Sequence, residues 1–220
     1  MPRNLSEQDI AGFRERLCDV AERQFALHGA ESVTIRQLAS ALGVSPMTPY
    51  RYFQDKDAIL AAVRARAFDR HAQALERAYA DNADEPAARA GAILEAYVDF
   101  AMRNPEAYKL MFDIYQPTEA DYPDLVRAGA RSRATMTLHL RDQIDAGGLA
   151  GDPERIGHMF WAAIHGPLML HFSGMLSPGQ DARTLINALV TALGRAIFGD
   201  ATARDTRPAS SLKETGGTPK

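Results

Sequence analysis

The chain is predicted to be all-α. Three observations carry this: apolar residues recur every three to four positions over most of its length, helix-opening residues alternate with helix-closing glycines between those stripes, and no stretch shows the two-residue alternation of a half-buried strand. At 220 residues there is room for one small and one larger domain, and the apolar content is ordinary for a globular protein.

The first helix is expected to open after Ser6 as a possible cap, carrying Ile10, Phe13, Leu17, Ala21 and Phe25 on one face until His28-Gly29 ends it. Cys18 lies inside it. A lone cysteine allows no intramolecular disulfide, and packing as a small hydrophobe is favoured over redox sensing.

The second helix is assigned to about Thr34–Leu42. Thr34 stands as N-cap with Gln37 as the reciprocal half of a capping box, and Val33 and Leu38 form a hydrophobic staple. Ile35, Leu38, Ala39 and Leu42 share a face, and Gly43 can enter the left-handed conformation that closes a helix. Val44 pins the turn, Ser45 caps the next helix and Pro46 takes its first position, so a third helix is expected to begin at Ser45. Pro49 conflicts with that helix, because it deletes an intrahelical hydrogen bond. Either the first turn is distorted or the helix restarts with Thr48 as cap and Pro49 as its first residue, and the restart is favoured.

Two short helices joined by a glycine turn make a helix-turn-helix, whose second helix lies in a DNA major groove. Phe53 is the expected core residue, while Tyr50, Arg51 and Tyr52 carry donors suited to phosphate oxygens. The alternative is that Tyr50 and Tyr52 merely cover the three-helix core. Asp55 reads as N-cap of a long helix, which puts Lys56 at its first position, where the helix dipole disfavours a cation. A bound phosphate would offset that mismatch; otherwise Lys56 is an exposed lysine without consequence.

Residues 34–60, TIRQLASALGVSPMTPYRYFQDKDAIL, resemble the N-terminal domain of TetR/AcrR-type transcriptional regulators. The resemblance covers roughly residues 8 to 65 and rests on Thr34, Arg36, Leu38, Ala39, Gly43, Val44, Ser45, Thr48, Tyr50, Phe53 and Lys56. The chain departs from the common pattern at Pro46, Met47 and Pro49, where Lys, Gly and Leu are frequent, so the base sequence it reads is its own. DNA contacts are accordingly expected from Thr34, Arg36, Ser45, Pro46, Met47, Thr48, Tyr50, Arg51, Tyr52 and Lys56. Net charge is −3, and residues 1–56 hold seven Lys/Arg against seven Asp/Glu. A basic stripe of Arg36, Arg51 and Lys56 must therefore face away from the acids if this unit binds DNA.

Beyond this unit, spanning 8–56, a helix over about 55–79 is expected to bridge to a second domain over 85–198. Pro86 opens a helix bearing Ile93, Leu94, Tyr97, Val98 and Phe100, stopped by Asn104-Pro105. Pro105 opens a short one, and Pro123 a longer one through Ala146, closed by Gly147-Gly148. Pro153 opens a strongly apolar helix, and the last runs from Asp181 to Phe198 with Leu185, Ile186, Leu189, Val190, Leu193 and Ile197 on a broad stripe. Residues 199–220 are polar and expected to be disordered.

Met159–Leu176 is 18 residues without a formal charge, the lower limit for a membrane span. Its two histidines, Gly166-Pro167 and the absence of flanking basic clusters favour instead a helix buried all round. No signal peptide is expected at the polar N-terminus, and a cytoplasmic location follows. The last two helices are more apolar than one side of a monomeric bundle can use, which predicts a two-fold homodimer through them. Such a dimer would read a near-palindromic site with recognition elements about 34–36 Å apart.

Trp161, His165 and Gly166 form W-x-x-x-H-G, which resembles the Trp-His-Gly signature of one TetR C-terminal subfamily and implies effector binding and dimerisation. Trp161 and His165 are i, i+4 neighbours that can stack; a satisfied core role for His165 is favoured over ligand contact. Tyr97, Phe100, Tyr108, Met111, Phe112, Tyr115, Phe160, Met169 and Phe172 could line a pocket with them or fill it. The expected function is ligand-responsive repression of transcription, with an activator or architectural DNA-binding protein as the alternative.

An enzyme is not expected, and neither a cofactor nor a metal is assigned. Glu154 and His158 are i, i+4, and His158 and His165 are i, i+7, but no third ligand is fixed, and HExxH, CxxC, nucleophile-elbow and phosphate-loop motifs do not occur.

Overall fold

The computed structural model describes residues 6–83, 86–113, 121–147 and 149–199, and among them every regular element is helical. The predicted Tyr115 and the tail beyond Gly199 lie outside the described residues.

The first helix, α1 (Glu7–His28), begins at Ser6, whose hydroxyl accepts from Asp9 N while the Asp9 carboxylate accepts from Ser6 N, both at 3.1 Å. Phe13, Leu17, Cys18, Ala21 and Phe25 are buried, but Ile10 is exposed, so the apolar face starts one turn later than its spacing implied. The buried Cys18 thiol is pushed up by loss of water.

Helix α2 (Ile35–Ala41) carries the expected capping box: Thr34 N donates to Gln37 Oε1 at 2.7 Å, and Gln37 N to the Thr34 hydroxyl at 3.3 Å. It closes as a Schellman motif, with Val44 N on Ala39 O and Gly43 N on Ser40 O, each at 3.0 Å. Gly43 has φ +67°, with open space where a Cβ would project. Gly43→Ala should therefore cost about 1 kcal/mol, from backbone strain and not from a clash. Urea unfolding of the variant tests this, and unchanged stability would mean the turn rearranges freely.

Helix α3 (Lys56–Asp81) is capped by Asp55, which accepts from Ala58 N at 2.7 Å. Ile59, Leu60 and Val63 on α3 close the head core against Phe13, Leu17, Phe25, Val33, Leu38 and Phe53. Arg66 and Arg70 tie α1 to α3 through Asp19 (2.7 Å) and Glu22 (2.9 Å).

The rest of α3 forms the spine of the larger body. Against it pack α4 (Pro86–Arg103), α5 (Pro105–Met111) and α6 (Pro123–Thr135), while α7 (Leu138–Asp145) and α8 (Pro153–Phe172) lie on α4, and α9 (Ala182–Phe198) on α8. Phe68 and Leu75 of α3 meet Tyr97, Val98, Tyr108, Leu125, Leu168 and Ile186 in the main core. Asp69 and Glu76 on α3 are bridged to α6 by Arg127 and Arg131, and Arg183 of α9 joins Glu95 and Asp99 of α4.

Two expectations are corrected here. The single helix over 123–146 is broken at Met136-Thr137, where Met136 N and Thr137 N bond three residues back, tightening the last turn of α6, and α7 starts afresh. Gly157 of α8 packs on this break: a Cβ there would lie 3.0 Å from Thr137 Cγ2. Nor is α8 buried all round. Ile156, Gly157, Pro167 and Leu168 are covered, whereas Met159 and Leu170 are each 42% exposed in the single chain. No described helix is long and apolar enough to cross a membrane.

Candidate nucleic-acid interface and internal cavity

Residues Ser45–Phe53 follow a helical path without an unbroken α ladder. Pro49 has no N–H to give the Ser45 carbonyl, so that carbonyl accepts from Thr48 N at 2.8 Å, three residues on. Met47 N reaches the Ser45 hydroxyl at 3.4 Å. A 3₁₀ turn then spans Pro49–Arg51, with Tyr52 N and Phe53 N both on Pro49 O. The helix expected to begin at Ser45 is thus corrected. Regular structure restarts at Pro49, as favoured, but as a 3₁₀ turn and without a side-chain cap from Thr48.

Packing decides which of these residues face outward. Pro49 and Phe53 are buried and anchor the segment, and the Arg14 guanidinium lies 4.0 Å from the Phe53 ring centroid and donates to Tyr52 O. Ser45, Pro46, Met47 (68%), Tyr50 (49%) and Arg51 are exposed, with Thr48 half-buried beside them. Thr34 and Arg36 are exposed on α2, the Thr34 hydroxyl being engaged in its capping box. The two tyrosines divide: Tyr50 is free to reach outward, whereas Tyr52 stacks on Phe13 at 4.2 Å and covers the core.

Lys56 also differs from expectation. Its ammonium donates to Ala30 O (2.7 Å) and Glu31 O (3.1 Å), so carbonyls of the loop before α2 offset the cation at the helix start. No bound anion is needed for that. Neither these carbonyls nor Arg14 carried a local sequence signal, since the partners are 25 to 38 residues away.

The larger body holds a partly open cavity of about 160 Å³. It is lined by Arg64, Phe68 and His71 of α3, by Tyr97, Met111, Phe112 and Trp161, and by Ser132, Arg133 and Met136. Arg64 is 1% exposed and donates from Nε to Leu110 O (3.1 Å) and from Nη2 to Met111 O (3.3 Å). His71 is 2% exposed, with Nδ1 2.9 Å from Ser132 Oγ, and Nε2 has no partner. Burial holds its imidazole neutral, lowering its pKa to about 3.

Behind the cavity runs a chain of hydrogen bonds. Trp161 Nε1 donates to Tyr97 OH at 2.9 Å, Tyr97 OH lies 2.9 Å from Tyr108 OH, and Tyr108 OH lies 2.7 Å from His165 Nδ1. His165 thus has Nδ1 engaged and its ring tilted against Trp161 at 5.4 Å, and burial lowers its pKa. Burial raises both tyrosine hydroxyls, which stay protonated.

Of the aromatic and methionine residues expected at a pocket, Tyr97, Met111, Phe112 and Trp161 line this one. Phe100, Tyr108, Met169 and Phe172 belong to the surrounding core instead. Phe160 is removed from it, stacked on Phe198 at 6.2 Å beside a separate small cluster of Leu140, Leu149 and Ile156. The polar lining from α3 and α6 was missed. Arg64, Phe68 and His71 do share a helical face at i, i+4 and i+7, a signal hidden by reading α3 only as a bridge. Among the described residues, no group of three or more His, Cys, Asp or Glu could hold a metal ion. His158 Nδ1 instead lies 2.6 Å from the Glu154 carbonyl oxygen.

Residues 17–63 match the family model of bacterial regulatory proteins of the tetR family, and residues 90–193 that of the tetracyclin repressor-like C-terminal domain. The chain is 25% identical to the HTH-type transcriptional regulator Rv1816 of Mycobacterium tuberculosis, over 80% of this chain and 91% of that protein. It is 35% identical to the HTH-type transcriptional repressor Rv1474c of the same species over 77 residues, 35% of this chain and 41% of that protein. Among solved structures, a protein of unknown function from Rhodococcus sp. RHA1 superposes with TM-score 0.72 at 30% identity, covering 84% of this chain and 95% of that one. SmeT, repressor of the Stenotrophomonas maltophilia multidrug efflux pump SmeDEF, gives TM-score 0.65 at 22% identity, covering 93% and 97%.

Proposed function

Because this chain belongs to the TetR family of DNA-binding transcriptional regulators, we propose that it is a homodimeric cytoplasmic repressor that grips a near-palindromic operator and releases it when a small apolar effector enters the larger body. The observation that carries the DNA-binding part is the segment 45–53, where buried Pro49 and Phe53 anchor a turn whose Met47, Tyr50 and Arg51 project outward. Exposed Met47 is read as the residue that meets base edges, and Tyr50 and Arg51 suit phosphates. Lys56 keeps this platform in register by holding the loop before α2.

The dimer reading is supported by the half-open apolar faces of α8 and α9, with Met159, Leu170 and Leu189 each about two-fifths exposed in the single chain. Coupling to the effector has a physical route in α3, which carries Lys56 at the head and Arg64, Phe68 and His71 at the cavity. An effector that binds one spacing of the two heads better would shift the population away from the DNA-competent form.

Selection of bound sites from a random duplex pool tests the reading and should return a two-fold symmetric sequence, bound with affinity that falls steeply as salt rises. On that site Tyr50→Phe and Lys56→Ala should weaken binding to all sequences alike, whereas substitutions at Met47 should change the preferred bases. Uniform loss from all three would refute this division, and a strictly monomeric protein indifferent to every duplex at low salt would refute the function.

A further inference from the structure

Resting on the reading of the larger body as an effector domain, we propose that its cavity is a site for a single-ring aromatic molecule bearing a hydroxyl, that is, a phenol, seated between aromatic walls with its hydroxyl on His71 Nε2. Size, wall chemistry and one unmet hydrogen-bonding group point to this class. The volume of about 160 Å³ admits one ring and little more, since a dry protein cavity of about 150 Å³ is known to accept benzene. Phe68, Tyr97, Phe112 and Trp161 supply ring faces and edges for offset or edge-to-face contact.

The polar end is set by His71. Its Nδ1 is engaged with Ser132 Oγ, while Nε2 is buried with no partner, a condition that leaves a desolvated polar atom unmet. The Ser132 contact is compatible with either tautomer, so Nε2 is a donor in one and an acceptor in the other. A hydroxyl both donates and accepts and satisfies both cases. A carboxylate suits the site less well. His71 is neutral and offers an anion no charge at this end, and the Arg64 guanidinium in the same lining already commits donors to the carbonyls of Leu110 and Met111.

Calorimetric titration of the full-length protein with phenol, toluene and benzoate, without DNA, tests the site. Phenol should bind saturably, one per chain, at least about tenfold more tightly than toluene despite the greater hydrophobicity of toluene, and more tightly than benzoate. His71→Phe should abolish the phenol–toluene difference. Because that variant removes a buried group and could unfold, the comparison among the three probes in the unaltered protein stands as the primary measurement. Equal binding of phenol and toluene, tighter binding of benzoate, or no saturable binding of phenol would each overturn the proposal. Operator affinity measured in parallel separates the two readings: intact DNA binding without phenol capture refutes the phenol site alone, whereas phenol capture without any change in operator affinity supports the site and refutes its role as a switch.

Discussion

Acidification from pH 7 to pH 5 should destabilise the folded chain by roughly 3 kcal/mol, before most carboxylates begin to protonate. The main cause is a pair of buried histidines, with His165, also lowered by burial, acting in the same direction. Burial lowers the pKa of His71 to about 3 and of His139 to about 4, against 6.5 for a solvated imidazole, and His71 Nε2 and His139 Nδ1 have no hydrogen-bond partner. Between those values the unfolded chain holds protons that the folded chain refuses, so stability rises with pH. The contribution is complete above about pH 6.5 and is lost as pH falls toward 4 and then 3. His71 alone accounts for about 2 kcal/mol over the two units, and His139, part of whose side chain reaches solvent, for less. Urea unfolding at half-unit pH steps measures this directly, and His71→Phe should flatten more than half of the slope. Stability that is level between pH 7 and pH 5 would sink the assignment of these histidines as buried and neutral.

Arg64→Leu should cost about 3 kcal/mol or more. A buried guanidinium on α3 donates to the last two carbonyls of α5, and removing it leaves Leu110 O and Met111 O short of charge-assisted bonds where water does not replace them. The position matters beyond stability. Leu110 packs into the head core while Met111 and Phe112 line the cavity, so Arg64 holds the joint at which the two units meet. Arg64→Lys should restore only part of the loss, because a single ammonium lacks the planar fork that serves two carbonyls at once. Chemical unfolding of both variants, with operator affinity as a second readout, tests this: an Arg64→Leu protein as stable as the parent would refute the clamp. A stable variant whose DNA affinity no longer responds to a bound effector would instead locate the coupling there.

These two residues mark where reading the chain alone stopped. No local pattern singles out His71 and Arg64, because their importance comes from what surrounds them: Ser132 is 61 residues from His71, and the Arg64 carbonyl partners are 46 and 47 residues away. Lys56 carries a local electrostatic mismatch, but its resolution, two carbonyls of the preceding loop, is not local. Tyr50 and Tyr52 were indistinguishable by type and spacing, and only the position of Phe13 separates an exposed ring from a covering one.

The sequence by itself determined the all-helical class, the cap at Ser6, the capping box at Thr34, the Gly43 closure and most helix limits, because caps, proline starts and apolar periodicity act within about four residues. Tertiary structure alone decided the break at Met136-Thr137 beneath Gly157, the exile of Phe160 from the cavity, and the unmet nitrogen of His71. Each of these depends on the distance between side chains far apart along the chain. That distance is set by how whole helices pack, which no local pattern encodes.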